Sequence, residues 1–164
     1  MSFRMLDGDA MKQFTLPLDK ERQRPTLYLE SFFRLSAMLD TGAVLPVWVE
    51  DEELLQSIGA IQIAENQPFG GFGGMTTGTL YRIPLFRCGD LMFPELPIIA
   101  SHSELSCQMI LSATMFSGLI YEIDDFHHNF NVTIPDKESL VRKLVVEDNN
   151  GKLHVLCSGE EKKL

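Results

Sequence analysis

Residues 33–49 read FRLSAMLDTGAVLPVWV. A mostly apolar run ends at the acid Asp40, which is followed by the small residues Thr41, Gly42 and Ala43. Asp, Thr and Gly all favour turns, so the motif alone indicates only a turn after a strand. The residues on both sides are apolar, however, and a carboxylate is costly to bury unless it is paired or used in chemistry. Asp40 is therefore the first candidate functional residue.

A glycine-rich segment follows downstream, where residues 69–75 read FGGFGGM. Glycine pairs without side-chain bulk suit a pliable hairpin tip, beneath which an extended peptide can bind through backbone hydrogen bonds as an added strand. The alternative is a surface loop that binds nothing. Candidate peptide-binding residues are Gly70, Gly71, Phe72, Gly73 and Gly74.

The rest of the chain alternates strand-like runs with Gly, Pro, Asn and Asp. One helix is predicted, over residues 50–59, and residues 140–156 read as a C-terminal hairpin closed by Asp148–Gly151. Many short strands with little helix predict a mainly β barrel or sandwich. The length of 164 residues suits one domain with an appended hairpin or tail.

Composition narrows the classes of function. Hydrophobic residues make up 45% of the chain, an ordinary value for a globular protein. The net charge of -9 and the pI of about 4.8 argue against binding the phosphate backbone of nucleic acids. Its most apolar later stretch, residues 110–121, is too short to cross a bilayer. Three widely spaced cysteines predict neither a disulfide framework nor a zinc site, so we expect a cytoplasmic protein with reduced thiols.

Two weaker candidates involve histidine. His127 and His128 are adjacent in sequence, which points them to opposite faces of a strand and argues against shared metal ligation. His102 with Cys107 suggests a thiol nucleophile, but the spacing reveals no orienting group.

Taken together, residues 33–49 resemble the active-site strand and loop of the retropepsins, the family of the retroviral aspartic proteases and their bacterial relatives. Residues 69–75 resemble the glycine-rich flap tip of that family. The run to Cys88-Gly89 and residues 93–100 follow its order of strands, and residues 109–116 stand where it has an apolar pair, a glycine and a polar pair. The resemblance covers roughly residues 14–134.

This resemblance implies a retropepsin-like closed β-barrel with one lobe per chain, short helices and a C-terminal β-hairpin. We expect residues 1–135 to form the peptidase domain and residues 136–164 to form a hairpin and tail packed on it or extending it. The implied activity is that of an aspartic endopeptidase. Asp40 is the catalytic residue in this reading, Thr41, Gly42 and Ala43 form its supporting loop, and the glycine-rich segment is the flap.

The chemistry also implies a partner. Two carboxylates must share one proton in this reaction, yet the chain has a single Asp-Thr-Gly and no Asp-Ser-Gly. A homodimer with a two-fold axis between two Asp40 side chains supplies the pair. The expected partners are therefore a peptide or protein substrate and a second copy of the chain, with no metal, cofactor, nucleic acid or membrane.

Two departures from the family keep alternatives open. Ser112, Ala113 and Thr114 stand where the family has glycine and polar residues, including an arginine that helps to fix the retroviral dimer, and Val44 stands where many relatives have a polar group. One alternative is a catalytically inactive, retropepsin-like dimeric module for binding or assembly. The other is an unrelated β-barrel in which residues 40–42 form only a turn.

Overall fold

The computed structural model describes residues 11–21, 25–71, 74–103, 105–149 and 152–159. Most of them lie in strands, so the prediction of a mainly β protein is confirmed. The strands are β1 (Met11–Pro17), β2 (Thr26–Glu30), β3 (Arg34–Asp40), β4 (Val47–Trp48), β5 (Ile61–Gly71), β6 (Gly74–Cys88), β7 (Leu91–Ala100), β8 (Met109–Ser112), β9 (Ile120–Asp124), β10 (Asn129–Pro135), β11 (Arg142–Asn149) and β12 (Lys152–Gly159). The helix α1 spans Glu52–Ser57, and a 3-10 turn spans Ala113–Phe116.

Seven of these strands form one mixed sheet in the order β2-β3-β8-β4-β7-β6-β5. Two pairs in it are parallel, β3 with β8 and β4 with β7. A second sheet has the order β1-β10-β9, and β11 pairs with β12 in a third. Isolated bridges join Leu18 to Leu27 and Met92 to Val141, and so link the smaller sheets to the large one.

The side chains of β3 alternate between two apolar clusters, as successive residues of a strand must. Leu35, Ala37 and Leu39 enter the main core, which also contains the fully buried Trp48. Met38 points to the other face, into a smaller cluster formed by Ala43, Val47, Val49, Cys107 and Ile110. Strand periodicity therefore places Asp40, two residues after Met38, on the face of the smaller cluster.

The observed elements differ from the predicted ones in the length of the helix and in two strands, β5 and β10. The helix is shorter than residues 50–59 and is followed by Gly59 at a φ of 90°, a conformation that glycine adopts without strain. The sequence does not predict a strand over residues 61–68, where Gln, Glu and Asn are frequent, but the structure has an edge strand there. That strand, β5, contains register shifts and a positive φ at Asn66. Strand β10 is not among the predicted strands either, although Phe130, Val132 and Ile134 alternate regularly and are buried.

The C-terminal hairpin packs against the rest of the chain. Leu144 of β11 is buried in the main core, and the Met92 N–H donates a hydrogen bond of 2.8 Å to the Leu140 carbonyl. Asn149 pairs with Lys152, whereas residues 150 and 151 of the predicted turn lie outside the described residues. No helix among the described residues is long and apolar enough to cross a membrane.

Burial of the Cys88 thiol predicts that the free energy of unfolding depends on pH. The thiol is fully buried, and burial raises its pKa from 9.0 to about 12. Above pH 9 the unfolded chain releases this proton while the folded chain keeps it, so the free energy of unfolding should fall as pH rises from 9 towards 12. The slope from this one group approaches about 1.4 kcal/mol per pH unit.

Urea denaturation at several pH values tests this prediction. Below pH 9, Cys88→Ala should be less stable than the wild type because of lost packing. Above pH 9, its stability should fall less steeply with pH than that of the wild type. Equal slopes for the two proteins would contradict it.

Candidate active site

Asp40 is the last residue of β3, which lies inside the large sheet between β2 and β8. Pairing on both sides fixes the end of this strand: Leu39 lies opposite Leu111, and Asp40 lies opposite Ser112 in the parallel ladder. The side chain of Asp40 is half-buried. A rigid interior strand thus holds the carboxylate at its carboxyl end, where the chain leaves the sheet.

The loop after Asp40 folds back on the carboxylate. The Gly42 N–H donates to Asp40 Oδ1 over 2.9 Å, and the Ala43 N–H donates to the Asp40 carbonyl over 3.1 Å. A Cβ on Gly42 would lie 3.3 Å from Oδ1, closer than ordinary van der Waals contact. The loop therefore orients one carboxylate oxygen, and a glycine allows the close approach. The Thr41 side chain is exposed.

A cavity of about 110 Å³ adjoins Asp40. Most of its walls are apolar, three hydroxyl side chains interrupt them, and Asp40 is the only charged residue among those that line it. The lining residues are Asp40, Ala43, Val47, Val49, Phe69, Thr76, Ser101, Ser103, Leu105 and Ile110. An apolar side chain of a bound molecule can be buried here beside a carboxylate.

The β5–β6 hairpin reaches this cavity. Phe69 and Thr76 pair with each other near the end of the hairpin, and both line the cavity with Asp40. Beyond that pair, Gly71 lies opposite Gly74. Three residues of the predicted flap, Gly70, Gly71 and Gly74, thus lie in the strands of this hairpin, and their role as a flap stays a prediction. The other two, Phe72 and Gly73, lie outside the described residues.

The base of this hairpin is held by contacts that the sequence did not reveal. The buried Tyr81 of β6 donates its hydroxyl to Glu52 Oε1 over 2.8 Å and accepts a hydrogen bond of 2.9 Å from Gln56 Nε2. Burial raises the pKa of Tyr81, and the Glu52 carboxylate adds to the effect. These contacts join α1 to β6 across long sequence separations, for which local patterns carry no signal.

The remaining candidates are placed as follows. Ser112 ends β8 and is fully buried, and its Oγ has no hydrogen-bond partner within the described residues. Ala113 and Thr114 begin the 3-10 turn.

His127 contacts Asp124 at 2.7 Å on an exposed turn, and the hydrogen bonds from His127 lower the pKa of Asp124. In the part of the chain that the structure describes, no three His, Cys, Asp or Glu side chains are grouped as a metal site would require.

Comparison with known proteins identifies the fold. Neither the models of known protein families nor the curated proteins match this chain. Among solved structures, the chain is similar to a retropepsin-like aspartic protease from Rickettsia conorii, with a TM-score of 0.55 and 13% sequence identity over 77% of this chain and 93% of that chain. The predicted retropepsin-like fold is therefore confirmed.

Gly78 of β6 tests how tightly the hairpin packs beside the cavity. A Cβ here would lie 2.6 Å from both the Ala100 carbonyl oxygen and Ile99 Cγ2, and 3.2 Å from Phe69 Cε1. Gly78→Ala should lower the free energy of unfolding by about 1–3 kcal/mol, because β6 must move away from β7. The control is Thr77→Ala at the exposed neighbouring position, for which we expect a change within about 0.5 kcal/mol. Equal stability of both variants in urea denaturation would show that β6 does not need this close contact.

Proposed function

We propose that the protein is an aspartic endopeptidase, in which two Asp40 carboxylates from the two copies of a homodimer activate a water molecule. The observation that carries this proposal is the position of Asp40. It ends an interior strand, beside a largely apolar cavity and the end of a glycine-rich hairpin, in a retropepsin-like fold.

Two acids are needed because peptide hydrolysis moves two protons. One carboxylate accepts a proton from the attacking water while the other donates a proton to the carbonyl oxygen of the substrate. Two carboxylates about 3 Å apart cannot both ionise, so they share one proton and can perform both tasks. The proton belongs to the pair, and the apparent pKa values belong to the dyad.

Each residue of the loop has a role in this proposal. Asp40 acts alternately as general base and general acid. The Gly42 N–H holds Asp40 Oδ1, which leaves Oδ2 to face the water and the partner carboxylate. The exposed Thr41 hydroxyl bonds to the partner's loop across the two-fold axis, and Ala43 packs beneath the loop in the smaller apolar cluster.

The substrate is an extended peptide bound between the Asp40 loop and the hairpin. Gly70 and Gly71 at the end of β5, with Gly74 at the start of β6, offer backbone groups for pairing with such a peptide without side-chain bulk. Val47, Val49 and Ile110 in the wall of the cavity favour an apolar substrate side chain next to the scissile bond.

In this proposal residues 1–135 are the peptidase domain, residues 136–164 are the hairpin and tail packed on it, and the enzyme works in the cytoplasm. A second candidate, the inactive dimeric module, is favoured by the departure at Ser112, whose hydroxyl is buried without a partner among the described residues. Measured hydrolysis of a protein substrate distinguishes the endopeptidase from the inactive module.

Asp40→Asn is the direct test of activity. Asparagine keeps the shape of the side chain and an oxygen that accepts the Gly42 N–H, but it cannot accept a proton from water. Hydrolysis of reduced and alkylated casein, followed by mass spectrometry from pH 3 to 7, should fall by about 10³-fold or more. The far-UV circular dichroism and the sedimentation coefficient should match those of the wild type.

Asp51→Asn is the matched control, since Asp51 is an exposed acid at the start of α1 outside the cavity. It should cleave casein like the wild type. Cleavage by Asp40→Asn at the wild-type rate would exclude Asp40 as a catalytic residue, and a wild-type dimer without any cleavage would favour the binding module.

A further inference from the structure

Arg142, the first residue of β11, is the largest charged side chain buried in the described structure. It is 1% exposed. Its Nε donates to the Met115 carbonyl over 3.1 Å, and its Nη2 donates to the Ser117 carbonyl. Its Nη1 lies 3.7 Å from Glu138 Oε2. A guanidinium is costly to bury, so these contacts mark a specific pairing rather than general packing.

The two carbonyls belong to the end of the 3-10 turn, where the backbone leaves acceptors unsatisfied. The Ser117 N–H donates to the Thr114 carbonyl, and the Leu119 N–H donates to the Phe116 carbonyl. The Arg142 guanidinium donates to the other two carbonyls of this segment, those of Met115 and Ser117. Arg142 and the backbone together therefore satisfy the turn, and the planar fork of arginine matches two acceptors in a way that a lysine ammonium cannot.

The chain around the turn is shaped to admit this contact. Gly118 follows the turn at a φ of 82°, and a Cβ there would lie 2.7 Å from Glu138 Oε1. A side chain at residue 118 would therefore displace the carboxylate of Glu138, which balances the charge of Arg142. The thiol of Cys157 on β12 also interacts with the guanidinium, although burial raises the pKa of that thiol. Both strands of the C-terminal hairpin take part.

The turn connects directly to the candidate active site. Its first residue, Ala113, follows Ser112, and Ser112 lies opposite Asp40 in the β3–β8 ladder. The four residues of β8 pair with the last four of β3. A shift of the turn would therefore displace β8, and β8 pairs with the end of β3 that carries Asp40.

We propose that Arg142 is a positioning residue for Asp40, and that the C-terminal hairpin, through this side chain, locks the 3-10 turn and the paired ends of β8 and β3. This role rests on the proposed peptidase function. Arg142 touches neither substrate nor Asp40, and its effect passes through the backbone of residues 109–117.

Arg142→Met tests the proposal, because methionine fills the site without donors. The control is Lys143→Met, the exposed neighbour on the same strand. Hydrogen exchange followed by mass spectrometry should speed up in residues 109–117 and 35–44 of Arg142→Met, and stay at wild-type rates in residues 80–88 of β6. The kcat for the casein-derived peptide that the wild type cuts fastest should fall by about tenfold to a hundredfold, with KM changed by less than about threefold. Lys143→Met should match the wild type in all three measurements.

Arg142→Lys keeps the charge but reaches only one carbonyl, so its kcat should lie between those of the wild type and Arg142→Met. Wild-type exchange in residues 35–44 of Arg142→Met, or a kcat equal to that of Lys143→Met, would overturn the proposal. So would loss of cooperative unfolding in both Arg142 variants, which would assign the residue to folding alone. Failure of the peptidase function would be seen separately, as hydrolysis that persists in Asp40→Asn.

Discussion

Strand β3 pairs with a neighbouring strand on both sides, and this pairing fixes the position of Asp40. A strand inside a sheet cannot shift register without breaking two ladders, and a shift by one residue would send Asp40 into the main core. Parallel pairing with β8 on one side and antiparallel pairing with β2 on the other therefore fix both the position of the carboxylate and the face it occupies. That face carries the smaller apolar cluster and the cavity.

Close backbone contacts build the surroundings of that carboxylate. Gly42 brings the loop against Asp40 Oδ1, Gly78 lets β6 rest against β7, and Gly118 admits Glu138 beside the 3-10 turn. A Cβ at Gly78 would meet the backbone of β7, and a Cβ at Gly42 or Gly118 would crowd a carboxylate that the glycine leaves in place. Longer-range bonds then hold the assembled parts: Tyr81 ties the hairpin base to α1, and Arg142 ties the C-terminal hairpin to the turn after β8.

Local sequence predicted the parts of the fold that repeat with the period of a strand. The motif of residues 40–42 indicated Asp40 as the candidate catalytic residue, and this stays a prediction. The mainly β class and the retropepsin-like fold are confirmed. The sequence does not predict β5, because an edge strand that is largely exposed needs no regular apolar alternation. Strand β10 does alternate regularly, and its pattern is sufficient to predict a strand. The contacts of Tyr81 and Arg142 had no local signal, since their partners lie 29 and 27 residues away in the chain. Arg142 in particular reads in sequence as an ordinary surface residue of a hairpin.

We propose that two copies of the chain bring their Asp40 side chains together to form one catalytic pair. A crystal structure of the assembled oligomer measures this directly, through the distance between the carboxylate oxygens of Asp40 in the two protomers. We expect a two-fold axis at the Asp40 loops and a closest oxygen–oxygen separation of about 3 Å, the spacing at which two carboxylates share a proton. Asp40 side chains separated by tens of ångströms, or facing solvent in a protein that stays monomeric at crystallisation concentrations, would contradict it.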